Sequence, residues 1–125
     1  MITRKHLPRT AALLVFAASL LLATTLASAH AKLESTTPTA GATVAAPKTI
    51  QAHFNEAIEI KLSSLKLALS DGTAVPVMSV NDALDPATLS IMPREALKPG
   101  SYKVTWSVVS DDGHKTHGTF DFTVQ

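Results

Sequence analysis

From Ser101 apolar and polar residues alternate up to the closing pair Val108-Val109. Tyr102, Val104, Trp106 and Val108 share one parity; Lys103, Thr105 and Ser107 share the other. A period of two belongs to a β-strand with one face in a core and the other in water, and no helix satisfies it. The same period recurs at Thr119 to Val124, where Phe120, Phe122 and Val124 align. It recurs again at Leu65, Leu67 and Leu69, and at Ile50, Ala52 and Phe54. Val75 to Val80 and Thr88 to Met92 are shorter apolar runs with β-branched residues, and Lys32 to Thr36 reads as a first strand. Pro38, Pro47, Asp71-Gly72, Asp85-Pro86, Lys98-Pro99-Gly100 and Asp112-Gly113 punctuate these runs as turns. Ala57 to Leu62 suits either a helical turn or a short strand. About seven short strands predict an all-β chain folded as a two-sheet antiparallel sandwich.

The β pattern starts only after residue 29. Arg4, Lys5 and Arg9 precede an uncharged stretch from Ala11 to Leu26, and Ala27-Ser28-Ala29 follows. A basic start, an apolar run and a small-x-small site form a secretory signal peptide. The run is shorter than the ~20 residues a membrane span needs. Residues 1–29 are therefore expected to be removed on export, leaving one domain over residues 30–125 with no stable membrane insertion. The chain's formal charge of +1 is misleading. Beyond the leader the cations are Lys32, Lys48, Lys61, Lys66, Arg94, Lys98, Lys103 and Lys115, against all 10 acids. The remaining domain is net negative and carries no basic patch for nucleic acid.

The chain has 0 Cys, which excludes disulfides, thiolate metal sites and a thiol nucleophile. No G-x-S-x-G elbow, S-x-x-K pair or Gly-rich phosphate loop occurs. The histidines beyond the leader are His30, His53, His114 and His117. Cleavage after Ala29 puts His30 at the new N-terminus. There its α-amine and Nδ1 can close a chelate ring on one metal, which an internal histidine cannot do. The amine has a pKa near roughly 8, so metal displaces a proton only partly bound at neutral pH. The bland alternative is a loose first residue. Asp112 and His114 follow the best-patterned strand at i and i+2, so an extended chain projects both from one face. They suit two ligands to one ion, or an ordinary Asp-Gly turn beside an exposed histidine. Glu56 suits an oxygen ligand or a solvated charge at a strand end. His117 reads first as a surface residue and His53 as lying on the face opposite Phe54. Met78 and Met92 are expected to pack in the core, scattered and too few for a soft Cu(I) site.

Four separated segments resemble one family. They are His30-Ala31-Lys32-Leu33 with Thr37-Pro38; His53-Phe54-Asn55-Glu56; the run from Tyr102 to His114; and Gly118-Thr119-Phe120. In that order they are similar to the bacterial copper-resistance CopC family. The resemblance implies a Greek-key β-sandwich of cupredoxin or immunoglobulin-like shape. It implies a periplasmic carrier involved in copper homeostasis and resistance, not an enzyme. Carried onto this sequence, it implies one Cu(II) per mature chain, held by His30, Asp112 and His114 with Glu56 as a weaker contributor. Expected partners are copper ion and an inner-membrane copper transporter or another envelope copper protein. Some members hold Cu(I) in a Met-rich loop with a histidine. Here Ser70 to Ser79 holds one Met and no His, so the chain reads as a Cu(II)-only member. Two nitrogens from His30, one from His114 and a carboxylate oxygen make a tetragonal set suited to Cu(II). The alternative is a copper-dependent oxidase or oxygenase built on the same N-terminal chelate. Against it, most aromatics past the leader fall on core parities, and an equatorial carboxylate disfavours the Cu(I) state needed to activate oxygen.

Overall fold

The computed structural model describes residues 30–125; the expected signal peptide, residues 1–29, lies outside the described residues. Nine strands follow in order: β1 (Leu33–Thr37), β2 (Thr43–Val44), β3 (Ile50–Phe54), β4 (Ser64–Leu69), β5 (Ala74–Val75), β6 (Val77–Ser79), β7 (Thr88–Pro93), β8 (Gly100–Val109) and β9 (Lys115–Val124). They form two sheets, β1-β3-β7-β6 and β2-β9-β8-β4-β5. The expected all-β sandwich is the fold. Pairing is antiparallel except at one edge, where β2 runs parallel to β9, a correction to the purely antiparallel expectation. Ala57 to Leu62 combines both readings: Ile58 bridges Ser110, and Ile60–Leu62 is a single 3-10 turn.

The alternating residues fill the space between the sheets. Ile50, Ala52 and Phe54 from one sheet meet Tyr102, Val104, Trp106, Val108, Phe120 and Phe122 from the other, all buried. Phe54 meets Trp106 edge to face at 5.2 Å between ring centres, joining the two layers. Tyr102 stacks on Phe122 at 5.5 Å, and its hydroxyl donates to the Lys98 carbonyl at 2.7 Å. Each large apolar side chain so enclosed contributes about 1.5–3 kcal/mol of burial free energy. This core replaces the disulfides that the chain lacks.

Two departures have local causes. The run expected as one strand from Val75 to Val80 breaks at Pro76. Proline has no N–H for the ladder, so β5 pairs with β4 in one sheet and β6 with β7 in the other. The last strand starts at Lys115 rather than Thr119, because β8 and β9 form one long hairpin from Val109↔Lys115 to Gly100↔Val124. That hairpin turns through Ser110 to His114 and carries the candidate ligands to one end of the sandwich.

Candidate metal centre

The turn between β8 and β9 is built by its own polar residues. The Gly113 N–H donates to the Ser110 carbonyl at 2.9 Å, and Gly113 takes φ +86°, a left-handed value that favours glycine. The Ser110 N–H donates to the His114 carbonyl at 2.9 Å. Asp112 then folds back over the turn. Its Oδ1 accepts the His114 N–H at 3.0 Å and also the Ser110 hydroxyl, while its Oδ2 stands 2.7 Å from His114 Nδ1. Ser110 is buried; Asp112 and His114 are exposed. The Ser110 hydroxyl first, and the His114 N–H next, hold the Asp112 carboxyl well below its ordinary value of 3.8. A carboxylate at Nδ1 fixes the ring's tautomer and aim, and leaves Nε2 for another partner.

His30 reaches this turn from the other end of the chain. Ala31 is buried, with its carbonyl accepting the Thr116 hydroxyl at 3.0 Å. The Lys32 N–H donates to Asn55 Oδ1 at 2.8 Å, and the Asn55 N–H returns a bond to the Lys32 carbonyl at 3.0 Å. So held, the His30 ring stands edge-on to the His114 ring, with centres 4.5 Å apart and planes at 83°. An imidazole nitrogen sits ~2.0 Å from a first-row divalent ion, so two rings on adjacent corners of one ion have centres ~4.5 Å apart. The spacing therefore suits a shared ion.

Of the residues singled out in the sequence, the structure brings together His30, Asp112 and His114 in a chain of pairwise contacts. Among the described residues, no three His, Asp or Glu side chains converge as a ready ligand cage. Glu56 is half-buried just past β3, next to Asn55. His53 lies on the outer sheet face as expected, with Nδ1 2.7 Å from Thr88 Oγ1 and Nε2 3.7 Å from Glu34. His117 is exposed opposite Ser107. Met78 is not in the core: it is 43% exposed on the edge strand β6. Nor are the two methionines scattered, because Met78 and Met92 are direct cross-strand partners. Pairing between strands that are distant in sequence is invisible to periodicity. Ser110, Asn55 and Thr116 were missed as supporting residues for the same reason: their partners lie on other segments or across a turn. A groove of about 540 Å³, lined by Leu69, Val75, Leu97 and Tyr102 among others, opens at the start of β8. It lies roughly 30 Å along that strand from the His114 turn, which is open surface.

Fold and site together define a small β-sandwich with a histidine–carboxylate group at one end. The chain belongs to the CopC domain family, whose model matches residues 33–125. Asp112, His114 and Glu56 fall inside that match, and His30 lies just before it. Copper resistance protein C of Pseudomonas syringae pv. tomato is 39% identical, over 95% of this chain and 98% of the relative. Copper resistance protein C of Escherichia coli is 40% identical, over 79% of this chain and 84% of the relative. The crystal structure of PcoC, a methionine-rich copper resistance protein from Escherichia coli, superposes with a TM-score of 0.70 at 38% identity, covering 77% of this chain and 99% of that one. That of CopC from Methylosinus trichosporium OB3b gives 0.71 at 34% identity, covering 77% and 94%.

Proposed function

We propose that residues 30–125 form an exported Cu(II)-binding protein that carries or sequesters copper in the periplasm. On this reading the leader is removed after Ala29, and one Cu(II) binds per chain. Its ligands are the amine and imidazole of His30, one ring nitrogen of His114 and an Asp112 oxygen, with Glu56 contributing weakly. Asp112 Oδ2 stands 2.7 Å from His114 Nδ1, and that contact opens for both side chains to serve one ion. Binding and hand-over are the activity, rather than catalysis. The receiving partner is an inner-membrane copper transporter or another envelope copper protein. The observation that carries this reading is the 4.5 Å approach of His30 to His114. The names of the relatives support copper as the metal, and three nitrogens with one carboxylate favour Cu(II) over Zn(II).

The test is electron paramagnetic resonance of the mature chain loaded with one equivalent of Cu(II). A single tetragonal signal with nitrogen hyperfine structure is expected. It should change when a residue is added ahead of His30. The same signal from both forms would overturn the N-terminal ligand.

A further inference from the structure

The N-terminal arm crosses from one sheet to the other at the site end of the sandwich. Asn55, just past β3, holds the Lys32 backbone by a reciprocal pair at 2.8 and 3.0 Å. Thr116, near the start of β9, holds the Ala31 carbonyl at 3.0 Å. Thr116 lies opposite Val108 in the ladder and so shares that strand's inward face, yet it presents a hydroxyl there. Its partner is the residue next to His30. The Ala31 methyl is buried and resists rotation of the arm. A chain terminus without such ties is loose, and a loose ligand loses conformational entropy when metal binds.

We propose that Asn55 and Thr116 are positioning residues, a two-point clamp that holds His30 against His114 before metal arrives. The proposal rests on the copper reading given above. Asn55 fixes the arm along β3, and Thr116 ties it to the strand that bears His114. Part of the ordering cost of the site is then met during folding, and affinity rises without a further ligand. Neither side chain need touch the ion.

The test uses mature protein starting at His30, with Asn55→Ala, Thr116→Val and the conservative Thr116→Ser. In the metal-free state, hydrogen exchange at the Lys32 amide should accelerate in Asn55→Ala. Cu(II) affinity, read by competition with a chelator, should fall about five- to tenfold in Asn55→Ala and in Thr116→Val. Thr116→Ser should restore it, because a hydroxyl at the same place suffices. Both losses should shrink when a Gly precedes His30, since the extension removes the chelating amine and leaves the clamp only the imidazole to hold. Unchanged affinity in both variants, with the Gly extension still harmful, would overturn the clamp and leave the copper reading standing. Equal losses with and without the extension would also overturn it, by revealing a merely structural role. An extension without effect on the parent would instead overturn the reading on which the clamp rests. Near-ultraviolet circular dichroism of Trp106 checks that each variant is folded. If Thr116→Val fails to fold, Asn55→Ala carries the same test alone.

Discussion

The imidazoles of His30 and His114 stand 4.5 Å apart at 83°, although one opens the described chain and the other sits in its last turn. The fold thus brings together two imidazoles from distant parts of the sequence, and on the proposed reading export processing adds a third nitrogen by freeing the His30 amine.

On the proposed reading, the His30 amine separates this site from any built on internal histidines. Acetylating it, or placing Gly before His30, keeps every side chain but removes a donor and its chelate ring. Cu(II) affinity should fall by orders of magnitude. Its pH dependence should also flatten around the amine pKa of roughly 8, because no proton then competes there. Chelator competition across pH measures both effects.

Removing His114 or Asp112 should act on copper and spare the fold, since both are exposed on the turn. His114→Ala should cost at least tenfold in Cu(II) affinity, and Asp112→Ala a comparable factor, because outer partners and ligands each carry about 10- to 100-fold. Isothermal titration of both variants beside the parent gives the comparison.

Asp112 also makes the metal-free protein acid-sensitive in a defined direction. Its folded carboxyl titrates below the ordinary value of 3.8, chiefly because Ser110 and the His114 N–H bond to the charged form. A depressed folded pKa stabilises the fold above the unfolded value, and that contribution is lost as pH falls through the folded one. Asp112→Asn should thus be less stable than the parent near neutral pH, and the gap should begin to narrow near pH 3.8 and close only well below it, as the folded carboxyl is protonated. Ser110→Ala should move that closure to higher pH. Urea titrations at successive pH values measure the gap.

Much of this fold was legible because the core is made of strict alternation. Residues such as Tyr102, Val104, Trp106 and Val108 mark their own strand. The start of β9 was hidden because its inward positions are filled by Thr116 and Gly118, neither of which reads as core. Gly118 is small because the ring of Trp106 occupies the space across from it. The strand β2 is two residues long and has no period to detect. At the candidate site, His30 stood out through the cleavage signal and Asp112 with His114 through their spacing. Asn55, Ser110 and Thr116 did not, since each matters only through a partner supplied by the folded chain.

The methionine pair on β6 and β7 bears on which oxidation state is held. Met78 and Met92 face each other but offer only two soft donors, and Met78 is 43% exposed. Replacing both by Leu should leave Cu(II) affinity within twofold of the parent. Reduced protein should yield its copper readily to a Cu(I) chelator. Retention of Cu(I) that disappears in the double Leu variant would locate a second site on this edge.

The contact between Gly118 and Trp106 gives a prediction about the frame that holds His114. The two residues are direct partners in the β8–β9 ladder. A Cβ at position 118 would stand 2.6 Å from Trp106 Cζ2 and 2.8 Å from Cε2, closer than real side chains approach. The ring is also packed edge to face against Phe54 at 5.2 Å, which limits its retreat. Gly118→Ala should therefore destabilise the protein by about 1–3 kcal/mol, the usual cost of overfilling a packed core. The chain has 1 Trp, so fluorescence-monitored denaturation reports directly on the crowded ring. Trp106→Phe, which removes the crowding part of the indole, should cost stability alone yet lessen the penalty of Gly118→Ala when the two are combined. Strictly additive losses in the double variant would mean that the strand moves aside and the ring does not set the size of residue 118.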